Sequence, residues 1–102
     1  MAQNEAAHAE GYSSHAIGKY SHAEGYGTDA LNDYSHAEGN ETTSGAEAAH
    51  AEGALTKAYG LYSHAEGTRS ATIGKGAHAE GYTAKAAPVS QLFTIESNNS
   101  LN

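Results

Sequence analysis

The tetrapeptide His-Ala-Glu-Gly occurs six times, at His8, His22, His36, His50, His64 and His78, each 14 residues after the last. A period held without slippage through most of a chain is a repeat architecture. Fourteen residues is too short for a helical repeat, which needs roughly 34. It suits two short strands and two tight turns. Each repeat then forms one coil of a solenoid, stacked about 4.8 Å above its predecessor.

Numbering each unit from its His as position 1, small residues recur at positions 14, 2 and 4 and again at 7, 9 and 11. That is period-2 alternation in two blocks, the signature of strands with one face reserved for small side chains. The expected fold class is all-β: a flat, thin parallel β-roll. Strand A covers positions 14 to 4 and strand B positions 7 to 11, with turns at 5–6 and 12–13. Inside the roll fall Ala9, Ala23, Ala37, Ala51, Ala65 and Ala79, with Thr28, Thr42 and Thr56. Position 8 is variable and polar, as a solvent face should be, and recurrent tyrosines at positions 5 and 13 ride the edges.

Composition agrees with a narrow interior. Val, Ile, Leu, Met and Phe total 11 residues, against 21 Ala and 12 Gly. A core of large side chains cannot be built from that stock, and the exact repeat argues against disorder. The net charge is −7, and the five Lys and Arg are scattered, which argues against nucleic acid. With no Cys, disulfides and cysteine metal sites are excluded. No apolar run is long enough for membrane insertion, and the first residues lack a signal-peptide pattern.

Three segments are expected: a partial coil over 1–7, six repeats over 8–87, and a cap or the start of a following domain over 88–102. Pro88 stops the array, and the stretch 88–96 is the densest apolar run.

The outward side chains of strand A form two rows, His8, His22, His36, His50, His64 and His78 beside Glu10, Glu24, Glu38, Glu52, Glu66 and Glu80. Carboxylates about 4.8 Å apart repel by about 0.9 kcal/mol even in water. They need partners, which the His row and a neighbouring chain supply, so strand A is expected to be an interface. A carboxylate partner raises a His pKa and makes stability decline as pH rises, whereas burial lowers it and reverses the sign; the paired Glu row favours the first outcome for the central repeats. A metal-binding His/Glu solenoid is the alternative reading of these rows; six-fold repetition favours a structural ladder, with no cofactor and no metal. No enzyme is expected. Ser–His neighbours on a strand point to opposite faces, and the Cys ligands that accompany His-x-Glu in zinc deaminases are missing. An ice-binding solenoid is disfavoured because its Thr rank would face inward.

The units Tyr20-Ser21-His22-Ala23-Glu24-Gly25, Tyr34-Ser35-His36-Ala37-Glu38-Gly39 and Tyr62-Ser63-His64-Ala65-Glu66-Gly67 resemble the YadA-like head repeats of trimeric autotransporter adhesins. They are closer still to the SHAEG variant of phage tail and tail-fibre proteins. The resemblance covers about Ala7 to Ala87. It implies a left-handed roll that exists as a homotrimer, a structural or adhesive role on a virion tail fibre or bacterial surface, and a host-cell receptor, protein or glycan, as partner. The adhesin heads carry aliphatics where this chain has His and Glu, so the implied trimer core is polar.

Overall fold

The structure, a computed structural model, describes residues 1–86. The 88–102 segment expected as a cap lies outside the described residues. Among the described residues twelve strands alternate in length: β1 (His8–Tyr12), β2 (His15–Ala16), β3 (His22–Tyr26), β4 (Asp29–Ala30), β5 (His36–Asn40), β6 (Thr43–Ser44), β7 (His50–Ala54), β8 (Lys57–Ala58), β9 (His64–Thr68), β10 (Ala71–Thr72), β11 (His78–Tyr82) and β12 (Lys85–Ala86). The odd strands form one six-stranded sheet and the even strands another, each in sequence order. Every pairing is parallel and links a residue to its equivalent 14 positions on, as in His22↔His36 and Glu38↔Glu52. The product is a β-solenoid of six coils, 38 × 23 × 11 Å. Before the first repeat, Ala2 bridges Ala16, so part of a further coil precedes His8.

The interior is built from positions 14, 2, 7 and 9. Ala23, Ala37, Ala51, Ala65 and Ala79 are fully buried, as are Thr28, Thr42 and Thr56, whereas Ala9 is only half-buried, because it sits in the first coil with little stacked above it. Among the described residues the largest fully buried side chains are threonines. Their hydroxyls are all used. Thr42 Oγ1 donates to the Glu38 carbonyl at 3.2 Å, Thr56 Oγ1 to that of Glu52 at 3.1 Å, and Thr28 Oγ1 to Ser14 Oγ at 2.9 Å. Among the described residues no buried side-chain nitrogen or oxygen lacks a partner. A core this polar is stable only when satisfied, since each orphaned group costs about 1–3 kcal/mol.

Three features differ from the sequence expectation. Strand A runs over positions 1–5 and strand B only over 8–9. Position 5 therefore ends a strand, and the first turn begins at position 6. That residue has left-handed backbone even when it is Leu55 (φ 59°), Arg69 (φ 61°) or Thr83 (φ 62°), and position 13 does the same at Tyr20, Tyr34 and Tyr62. Backbone hydrogen bonds between coils hold these turns, such as Leu55 N–H to the Asn40 carbonyl at 2.8 Å and Tyr34 N–H to that of Lys19 at 2.9 Å.

The third difference concerns the glycine at position 4. It is not an inward-facing small residue. At Gly39 φ is +116°, and a Cβ there would lie 2.0 Å from the carbonyl oxygen of Gly53 in the next coil. Backbone clearance, repeated at Gly11, Gly25, Gly53 and Gly67, demands glycine. Gly27, in a turn at φ +64°, would meet nothing nearer than a Glu41 side-chain carbon at 3.4 Å. Gly39→Ala is expected to destabilise by about 3 kcal/mol or more, and Gly27→Ala by only about 1–2 kcal/mol. Urea denaturation of both variants checks this; equal midpoints would contradict the stacking geometry.

Candidate functional site: the histidine–glutamate ladder

Alternation along the odd strands turns Ala at position 2 inward and sends His at position 1 and Glu at position 3 out of the same sheet face. Within each coil the imidazole and carboxylate meet directly. The Nε2–Oε1 distance is 2.7 Å for His8–Glu10, 2.6 Å for His22–Glu24, 2.5 Å for His36–Glu38, 2.6 Å for His50–Glu52, 2.6 Å for His64–Glu66 and 2.7 Å for His78–Glu80. With a neutral imidazole, Nε2–H donates to the carboxylate. Each Glu is thus bonded within its own chain and its own coil, two residues away.

Between coils the parallel register stacks the rings. Centroids are 4.8 Å apart for His8–His22, 4.7 Å for His22–His36, 4.4 Å for His36–His50, 4.5 Å for His50–His64 and 4.8 Å for His64–His78, with interplanar angles of 11° or less. From the second coil onward the histidines are half-buried, whereas His8 is exposed. The result is a column of six imidazoles flanked by a column of six carboxylates, on one flat face.

The electrostatics are uneven along the column. Burial pushes the His50 imidazole below the ordinary histidine value; the hydrogen bond to Glu52 opposes this, while His36 and His64 reinforce it. The hydrogen bond from His36 holds the Glu38 carboxyl below its ordinary value against a smaller effect of burial. The sequence expectation, a His pKa raised by its carboxylate, is therefore corrected at His50. Desolvation and the two flanking imidazoles outweigh one hydrogen bond. Two protonated rings at 4.4 Å would also repel by about 0.9 kcal/mol even in water.

Sequence reasoning missed one contact made by groups outside the ladder. His15 Nδ1 meets Asp29 Oδ1 at 2.8 Å, from the second sheet and across adjacent coils. The two residues share position 8, so a spacing of one period was the available signal. Tyr12 stacks on Tyr26 at 5.1 Å and Tyr20 on Tyr34 at 5.5 Å by the same rule.

Chemically, the ladder can exchange protons, accept cations and meet a complementary polar surface. The inner face of the same strand carries only small residues, and Ser21, Ser35 and Ser63, beside their histidines in sequence, point into the roll, where Ser21 Oγ and Ser35 Oγ donate to the carbonyls of Gly18 and Asn32 at 2.6 Å. No serine–histidine dyad arises from these neighbours. Among the described residues no helix is long and apolar enough to cross a membrane. Compared with known proteins, the chain matches no family model, no curated protein and no solved structure.

The pH dependence follows from the two shifts. A His with a lowered folded pKa contributes stability above the unfolded value of about 6.5 and loses it as pH falls through the folded pKa. A Glu with a lowered folded pKa likewise loses its contribution as pH falls through the carboxylate range. Both act in one direction, so acid destabilises. The melting temperature is expected to be nearly level from pH 8 to 7 and to fall steadily from about pH 6.5 to 4. Thermal melts in chelator-treated buffer check this, and a rise on acidification from pH 7.5 to 5.5 would contradict it.

Proposed function

We propose that this chain is a non-catalytic, trimeric β-roll module of a phage tail fibre or a bacterial surface adhesin, which builds a stiff shaft segment and presents or binds a receptor. The roll is read as left-handed, and the His/Glu face as the surface that packs around a threefold axis. One observation carries the reading: among the described residues nothing larger than Thr is fully buried, while most large apolar side chains are exposed. Tyr12 and Ile73 are each 67% exposed, and Tyr20, Tyr26, Tyr34, Tyr62 and Leu31 are exposed as well. Hydrophobic stabilisation scales with apolar area removed from water, at about 25 cal/mol per Å². A lone roll leaves much of its apolar area wet, and side-by-side association covers it.

The half-buried ladder suits such packing, because each carboxylate enters the contact already accepting a hydrogen bond from an imidazole of its own coil. The YadA-like head and SHAEG resemblance supports the same assembly and its surface location. A host-cell protein or glycan is the partner proposed for the exposed faces.

Sedimentation velocity on the full chain at micromolar concentration is expected to give a single species at three times the 10.5 kDa chain mass. A folded monomer with the same strand content would overturn the trimeric reading.

A further inference from the structure

We propose that the middle of the ladder is a transition-metal site, with His50 Nε2, Glu52 Oε1 and His64 Nε2 as ligands for Zn²⁺ or a cation of similar preference. These three side chains each offer a ligand atom, and the atoms lie within 4.8 Å of one another, all in half-buried residues. The inference rests on the geometry of one chain and not on the trimeric reading above.

The donor set decides the class of ion. Two imidazole nitrogens and one carboxylate oxygen suit Zn²⁺, Ni²⁺ or Cu²⁺, whereas Mg²⁺ and Ca²⁺ require a shell of oxygens. Tetrahedral zinc holds its ligands at about 2.0–2.2 Å, which places ligand atoms roughly 3.4 Å apart. His50 Nε2 and Glu52 Oε1, now at 2.6 Å, need only open slightly. The His64 ring, stacked 4.5 Å from that of His50 and parallel within 3°, must tilt until its Nε2 lone pair converges on the same point. In the single roll the side chains of His50, Glu52 and His64 are 32%, 40% and 34% exposed, so there an ion can enter and the rings can turn. Glu66, bonded to His64 Nε2 at 2.6 Å, stands next in the row for the fourth position.

Coordination also has an electrostatic rationale. The imidazoles pass to the tautomer with the proton on Nδ1, leaving Nε2 free for the ion, and the carboxylates remain ionised. A divalent cation then neutralises part of a column of like charges that the parallel register holds in adjacent coils. The rings are most closely stacked at the centre of the column, at 4.4 and 4.5 Å. His15 and Asp29 make a comparable pair on the other sheet without a third ligand in the group, and serve as an internal control.

The test is a Zn²⁺ titration of the full chain, followed by calorimetry and by imidazole nitrogen NMR. The first equivalent is expected to shift Nε2 of His50 and His64 and to leave His15 unmoved. His50→Gln and Glu52→Gln each weaken binding by about tenfold or more, His15→Gln changes nothing, and Mg²⁺ gives no heat. Shifts spread evenly over all seven histidines, no saturable binding, or an isotherm unchanged in His50→Gln would overturn the site. Should a variant fail to fold, the wild-type NMR pattern decides alone.

Discussion

Parallel in-register stacking is the constraint on which the rest of the structure depends. Each residue sits on its counterpart 14 positions later, so whatever one coil does, its neighbours must do in the same place. An inward residue becomes a column, an outward charge becomes a row of charges, and a close backbone approach becomes an invariant glycine. Sheet hydrogen bonds are nearly independent of side chain, which lets a chain poor in large aliphatics order at all. The interior needs only to be small, dry and satisfied. Ala and hydroxyl residues meet those terms, with Ser and Thr donating to carbonyls or to one another.

The same constraint creates the ladder's chemistry. Stacking six carboxylates would cost repulsion in every layer, and an imidazole two residues away on the same face supplies a hydrogen bond to each. Relief of one row is obtained by stacking another. The flanking imidazoles of His36 and His64, held at 4.4 and 4.5 Å, are one cause of the depressed His50 pKa, after burial. A column of alternating nitrogen and oxygen ligands follows directly, and the proposed metal site lies where His50, Glu52 and His64 bring three ligand atoms within 4.8 Å of one another.

Much of this was legible from periodicity. The two-sheet roll, the buried alanines from Ala23 to Ala79, buried Thr28, Thr42 and Thr56, and outward His and Glu all follow from period 2 nested in period 14. The strand limits were less legible, because position 5 is Tyr12, Asn40 or Ala54 in different coils and carries no strand signal. Left-handed backbone at Leu55, Arg69 and Thr83 has no sequence mark, since stacking overrides local preference there. Gly39 was visible as a small residue, but its role depends on the Gly53 carbonyl beyond it. The sign of the His50 shift required the burial and ring spacings that only the packed coils provide.

The central claim is that register, not any particular residue, organises the fold. Removing residues 36–49 joins Ser35 to His50 and keeps the phase of the repeat. Removing residues 36–42 joins Ser35 to Thr43 and breaks it. Far-UV circular dichroism through a thermal melt compares the two deletions directly. The account predicts that the full-period deletion retains the strand signal per residue and a cooperative transition, while the half-period deletion loses both. Equal behaviour of the two chains, folded or unfolded, would contradict it.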